Sequence, residues 1–205
     1  MAVFFAILKG YHFLKRFYKH SILYLFISIF LIPGELCSSY RQAPEDLIKA
    51  AYIYKFISFI SWPDIESSNT GGNFVIGILG DKAFADNFKE IEGRSIAGMD
   101  KTIQVLSLGT YQKNFNFASC YILFVSATEK SFIKDILNET KNIPVLTISD
   151  AEDFIEEGGI IQLITVNGQI RWELNLTAAK KSSLKLSATL IQSAVKVITD
   201  TEEKR

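Results

Sequence analysis

Apolar residues are spaced so that the chain after Tyr40 divides into alternating helices and strands. From Leu47 they recur at Ile48, Ala51, Tyr52, Tyr54, Phe56, Phe59, Ile60 and Trp62. This spacing is helical but covers more than one face, so the segment Arg41 to Pro63 is predicted as one deeply buried helix or one with a second, partner-facing side. Pro44-Glu45-Asp46 suits its start, because proline fits the first turn and acids favour the positive end of the dipole. Pro63 ends it. A polar loop, Asp64 to Asn73, precedes the continuous apolar run Phe74 to Gly80, the pattern of a strand buried on both faces. Asp81 then caps a helix over Ala83 to Ile91.

The same rhythm repeats downstream. Thr102 to Leu108 and Cys120 to Ser126 read as strands, Lys130 to Asn138 as an amphipathic helix, and Pro144 to Ser149 as a fourth strand. Asp150 is expected to cap a short helix through Glu156, closed by Gly158-Gly159. In Gly158 to Leu176 two apolar runs flank Asn167-Gly168, which tolerate the positive φ of a type I′ hairpin turn. Strict alternation follows. Ile170, Trp172 and Leu174 face a core, while Arg171, Glu173 and Asn175 form a polar row on the other side. Thr177 to Lys181 and Ser187 to Ile198 read as closing helices, and the charged end Thr199 to Arg205 as a fraying tail. Strands alternating with helices predict an α/β fold of three layers. Its sheet is largely parallel, Rossmann-like or flavodoxin-like, with helices on both faces and an antiparallel C-terminal hairpin.

The first 39 residues have a different character. Lys9, Lys15, Arg16 and Lys19 precede an apolar run from Ser21 to Ile32, which Pro33-Gly34 breaks before the small residues Cys37-Ser38-Ser39. A basic stretch, a short apolar core and a small-residue exit predict a secretory signal peptide cleaved near Ser39, with residues 40–205 as one exported domain. The run falls short of the roughly 20 residues of a membrane span. An uncleaved anchor would place the domain in the same compartment.

Composition narrows the chemistry once that leader is set aside. The whole chain has 22 basic and 22 acidic residues. Losing Lys9, Lys15, Arg16, Lys19 and Glu35 leaves a net charge of −3, which argues against a nucleic-acid partner. Both histidines, His12 and His20, lie in the leader. The domain therefore has no histidine for a Ser-His-Asp or Cys-His site, and no ordinary zinc set. Cys37 leaves too, so Cys120 remains alone, without an intrachain disulfide partner; at the head of an apolar strand it reads as a small buried hydrophobe. No cofactor or metal is expected.

Candidate sites are few. Gly77 and Gly80 fall short of G-x-G-x-x-G, and the P-loop lysine is missing, so the strand–glycine–helix junction reads as a tight turn. In a parallel sheet, ligands bind in the crevice at the strand carboxyl ends, which Gly80, Asp81, Ser126 and Asp150 would approach. These residues define an alternative reading as a small-molecule binding or sensor protein; a carboxylate enzyme built on Asp81 and Asp150 is a third. Tyr54, Phe56 and Trp62 are candidates for an apolar contact surface, with burial in the core as the competing assignment. Arg171, Glu173 and Asn175 either pair on a solvated sheet face or meet a partner. The sequons at Asn138 and Asn175 are chance-level tripeptides.

Four segments in register resemble the YfiR family of exported domains in Gram-negative bacteria. They are Lys49-Ala50-Ala51-Tyr52-Ile53-Tyr54-Lys55-Phe56 with Trp62-Pro63, Val75 to Gly80, Ile143 to Thr147, and Gly158 to Ile161 with Ile170 to Asn175. The resemblance covers Pro44 to Ile198. It implies a non-enzymatic periplasmic regulator that binds the periplasmic part of an inner-membrane signalling protein, a YfiN-like diguanylate cyclase or a sensor-kinase ectodomain. Such binding would restrain cyclic di-GMP synthesis and biofilm formation. Some members of that family are dimers, so the resemblance also implies a homodimer. Some relatives sense redox state through disulfides; Cys120 alone does not provide an intrachain switch.

Overall fold

The computed structural model describes residues 44–63 and 72–199. The predicted leader, most of the loop after Pro63 and the charged tail beyond Thr199 lie outside the described residues. Helix α1 (Glu45–Phe56) leads through a 3-10 turn into β1 (Ile60–Ser61), and β2 (Asn73–Leu79) is followed by the short α2 (Lys82–Ala85). Next come β3 (Thr102–Gly109), β4 (Ile122–Val125), α3 (Ile133–Thr140), β5 (Leu146–Ser149), β6 (Ile161–Val166) and β7 (Gln169–Asn175). The chain closes with α4 (Leu176–Lys181), β8 (Lys185–Leu186), α5 (Ala188–Gln192) and β9 (Lys196–Ile198).

Seven strands form one mixed sheet in the order β3-β2-β4-β5-β6-β7-β9. The first five run parallel; β7 is antiparallel to β6, and β9 parallel to β7. The order reverses between β2 and β4, so their carboxyl ends form a switch point. β1 and β8 pair separately as a two-residue antiparallel ladder. The α/β class, the largely parallel sheet and the terminal hairpin are those expected from the hydrophobic pattern.

Apolar residues fill both faces. Ile76, Ile78, Ile122, Phe124, Ile148, Leu163 and Leu174 face one core, where Ile53 and Phe56 of α1 and Leu190 of α5 cover them. Val75, Leu79, Leu123, Val125 and Val145 face the other, against Ile133, Ile136 and Leu137 of α3 and Phe154. Continuous apolar strands are therefore buried on both sides, as parallel strands between helices must be. The edge strand β3 is covered in part: Ile103 N–H donates to the Arg94 carbonyl (2.9 Å) and Val105 N–H to Glu92 Oε2 (2.8 Å). A carboxylate on an edge amide blocks pairing with another chain there.

Three local expectations need correction. Ser187 to Ile198 is not one helix: α5 stops at Gln192, Val195 N–H bonds to the Trp172 carbonyl (3.0 Å), and β9 adds to β7. The β-branched run Val195, Val197, Ile198 and Thr199 favours a strand, and its spacing from Leu190 imitates a helical period. Asp150 to Glu156 forms turns rather than a helix. Asp153 has φ of +62°, which no helix accommodates, and Gln162 Oε1 takes the Phe154 N–H (2.9 Å). The first helix also ends at Phe56, six residues short of Trp62, which follows β1 outside any helix.

Candidate functional site

The carboxyl ends of β2, β4 and β5 bring Gly80, Ser126 and Asp150 to one edge of the sheet. Their polar groups are engaged with neighbouring protein groups. Gly80 adopts φ of +89°, and a Cβ there would lie 2.6 Å from both Thr128 Oγ1 and Glu129 Cγ. Thr128 Oγ1 donates to the Gly80 carbonyl and lies 3.1 Å from Ser126 Oγ as well. Buried Glu129 accepts the Tyr111 N–H through Oε2 (3.2 Å). Asp81 caps α2, Oδ1 accepting Phe84 N–H at 2.9 Å. Asp150 caps no helix; its Oδ1 accepts Ala127 N–H (2.9 Å) and its Oδ2 meets Lys49 Nζ (2.9 Å). The β4–α3 connection thus packs against the switch-point edge.

Lys49, which sequence reasoning passed over, joins this edge to α1. Its Nζ also contacts Glu45 Oε1 (3.0 Å), and Thr165 Oγ1 of the hairpin donates to the same oxygen (3.1 Å). A polar chain therefore runs from β4 through β5 and α1 to β6. The signal was present in the sequence as a lysine inside an apolar helix, four residues after a glutamate. Burial opposes the ammonium charge, but the Asp150 and Glu45 carboxylates outweigh it and raise the Lys49 pKa above 10.5. The Lys49 hydrogen bond lowers Glu45 below 4.5 against a smaller opposing effect of burial.

These directions give a pH prediction. A depressed carboxyl pKa contributes stability above its unfolded value and loses it as pH falls through the folded one; a raised lysine pKa contributes below its unfolded value and loses it at higher pH. Lys49→Met is expected to destabilise the domain by about 2 kcal/mol near neutrality. That is less than the loss for a fully buried pair, because the Asp150 and Glu45 ends reach solvent. The melting-temperature gap between wild type and variant should stay level from about pH 6 to 9, shrink below about 4.5 and shrink above about 10.5. A gap that widens toward acid pH would exclude this ion-pair account.

The apolar candidates separate by burial. Phe56 and Trp62 are each 1% exposed and belong to the core. Trp62 meets Phe74 and Tyr121 edge-on at 5.1 and 6.1 Å and donates Nε1–H to the Tyr121 carbonyl (3.2 Å). Phe56 packs on Trp172 (5.5 Å), which also meets Tyr52 (5.3 Å). Tyr54 lies on the opposite side of α1. It is 38% exposed, and about two helical turns earlier Leu47 is 44% exposed, with exposed Ala51 between them. Positions i, i+4 and i+7 form one line on a helix.

The polar row also divides. Ile170 and Leu174 are buried on the core side, as the alternation requires, and Arg171 is exposed on the other face. Arg171 Nη2 donates to Gln169 Oε1 (2.7 Å), and Glu173 is half-buried opposite Gln162. Asn175 is buried and structural: its Oδ1 caps α4 at Ala178 N–H (2.8 Å) and its Nδ2 donates to the Ile155 carbonyl (2.8 Å). Cys120 is buried, and burial pushes its thiol pKa up, away from the reactive thiolate. Among the described residues no group of three or more His, Cys, Asp or Glu is placed to hold a metal ion, and no helix is long and apolar enough to cross a membrane.

A family model described as YfiR/HmsC-like matches residues 46–195, most of the chain. No curated protein matches it.

Proposed function

Because the chain belongs to the YfiR/HmsC-like family, we propose that it is an exported, non-enzymatic regulator. In this reading it binds the periplasmic part of an inner-membrane signalling protein, a YfiN-like diguanylate cyclase, and lowers its cyclic di-GMP output. Residues 1–39 serve as the leader, cleaved near Ser39, and the remainder acts in the periplasm. The observation that carries the contact surface is the apolar line Leu47, Ala51 and Tyr54 on the outside of α1. The inner side of the same helix is fixed by Phe56 on Trp172 and by Lys49 on Asp150. A rigid helix presenting an aliphatic and an aromatic side chain gives a partner contact area at little entropic cost.

Mechanistically the domain acts as a clamp. It binds one state of the partner more tightly than the other and shifts the population toward it; repression to one hundredth of the active fraction needs a differential affinity of about 100-fold, or ~2.7 kcal/mol. The switch-point edge supports this reading over a catalytic one, because Asp81 and Asp150 are both occupied in holding backbone amides.

The test is retention of envelope membrane proteins on the immobilised domain, residues 40–205, followed by mass spectrometry. One membrane protein with a periplasmic sensor and a cytoplasmic signalling domain is expected on wild type. Leu47→Asp with Tyr54→Asp should reduce its retention at least tenfold, since charge at the centre of an apolar contact is costly. Arg171→Ala with Glu173→Ala tests the exposed polar row in the same way. Retention unchanged by Leu47→Asp with Tyr54→Asp would remove α1 from the interface.

A further inference from the structure

A cavity lies away from the switch point, at the amino ends of the parallel strands. It has a volume of about 730 Å³ and opens between α3, α4 and β9. Thr147 near the start of β5, Ile160 just before β6, and Asn175 at the end of the reversed strand β7 all line it. Its apolar lining includes Leu137, Ala178 and the half-buried Ile198. Four lysines stand around it: Lys134, Lys141, Lys181 and Lys196. Two of them are neutralised, Lys134 by Glu157 Oε2 (3.3 Å) and Lys196 by Glu156 Oε1. The other two are not. Lys141 donates to the neutral Asn138 Oδ1 (2.8 Å), and Lys181 has no partner among the described residues. The cavity therefore combines an apolar lining with two cations that meet no carboxylate among the described residues, in a chain whose net charge is −3 when residues 1–39 are set aside. Its size is within the range of small-molecule pockets, about 300–1,000 Å³.

We propose that this cavity binds an anionic amphiphile, a carboxylate or phosphate group carried on an apolar body. The apolar body covers Leu137, Ala178 and Ile198, and the anion lies between Lys141 and Lys181. The Thr177 and Ser182 side chains, which also line the cavity, supply hydroxyls. Apolar burial provides affinity, and the lysine pair discriminates against neutral and cationic analogues. Such a ligand can reach the domain free in solution or as a lipid headgroup with its chains. This inference stands independently of the proposed signalling partner.

The experiment is calorimetric titration of the domain, residues 40–205, with octanoate, octanol and octyltrimethylammonium. Vesicles of zwitterionic lipid with and without anionic phosphatidylglycerol form the second arm. Octanoate is expected to bind saturably and octyltrimethylammonium not at all. Lys141→Glu with Lys181→Glu should weaken octanoate at least tenfold and leave octanol unchanged. These lysines are exposed, so the fold survives; Thr177→Trp, which fills the cavity without altering charge, should abolish octanoate binding independently. Vesicle retention that follows the same variants, together with octanoate binding, assigns the lipid source; octanoate binding without retention assigns a free ligand. Absence of saturable octanoate binding overturns the proposal, even if vesicles are retained, because retention alone reports surface charge. Octanoate affinity that is equal in wild type and both variants overturns it as well.

Discussion

Trp62→Ala is expected to destabilise the domain by about 4 kcal/mol, measured by denaturant unfolding. The indole is fully enclosed against Phe74 and Tyr121, and its N–H is satisfied by the Tyr121 carbonyl. Alanine removes the burial, opens a cavity and leaves that carbonyl without this donor. Trp62→Phe keeps most of the apolar contact and loses the hydrogen bond, so it should cost about half as much. This separates a core role from a contact role. A contact residue would lose partner affinity with stability intact, whereas Trp62 should lose stability first. Unfolding curves of Trp62→Ala that superimpose on wild type would place the indole at the surface.

The second large effect falls at Gly80. Valine there must adopt φ near +89°, a region that β-branched residues avoid, and its Cβ would sit 2.6 Å from Thr128 Oγ1 and Glu129 Cγ. Backbone strain and overpacking together amount to about 3 kcal/mol, and relief requires the β4–α3 connection to move away from β2. Gly80→Val should therefore lower the unfolding midpoint and loosen that connection, detected as faster amide exchange at Thr128 and Glu129. Gly93 has similar dihedral freedom, with φ of +74°, but open space around its missing Cβ. Gly93→Val thus carries the strain without the collision and should cost distinctly less. Equal losses at the two positions would show that packing against Thr128 and Glu129 contributes nothing.

Much of the fold was legible because it rests on short-range rules. The apolar runs at Phe74 and Cys120 announced strands covered on both faces, and Asn167-Gly168, with φ of +50° and +73°, announced the hairpin turn. Alternation after the turn placed Ile170 and Leu174 inward. Where the chain departs from expectation, a long-range partner decides. Val195 N–H finds the Trp172 carbonyl, turning a helical spacing into strand β9. Phe154 N–H finds Gln162 Oε1, turning a capped helix into a string of turns. Neither bond can be inferred from residues near it in the sequence.

The candidate sites were less legible for a related reason. Residue type and spacing selected Tyr54, Phe56 and Trp62 together, but only the packing of α1 against Trp172 shows that Phe56 points in and Tyr54 out. Leu47 belongs with Tyr54 and carries no signal in sequence beyond its seven-residue spacing. Asn175 was grouped with Arg171 and Glu173 by alternation; its carboxamide instead caps α4 and holds the Ile155 carbonyl. Gly80, Ser126 and Asp150 do meet at the carboxyl edge. What a sequence could not convey is that Thr128, Glu129 and Lys49 meet them there. The cavity at the opposite edge is equally hidden in the sequence, because Asn175, Thr177 and Lys196 reach it only through the reversal at β7 and the addition of β9.

The central claim is regulatory, and cellular cyclic di-GMP tests it most directly. In the organism that carries it the gene would be deleted and restored as wild type or as Leu47→Asp with Tyr54→Asp, with equal protein levels confirmed. The account predicts that deletion raises cyclic di-GMP several-fold, that wild type returns it to the starting level, and that the α1 variant leaves it high. Cyclic di-GMP unchanged by deletion, under conditions where the protein is made, would contradict the account.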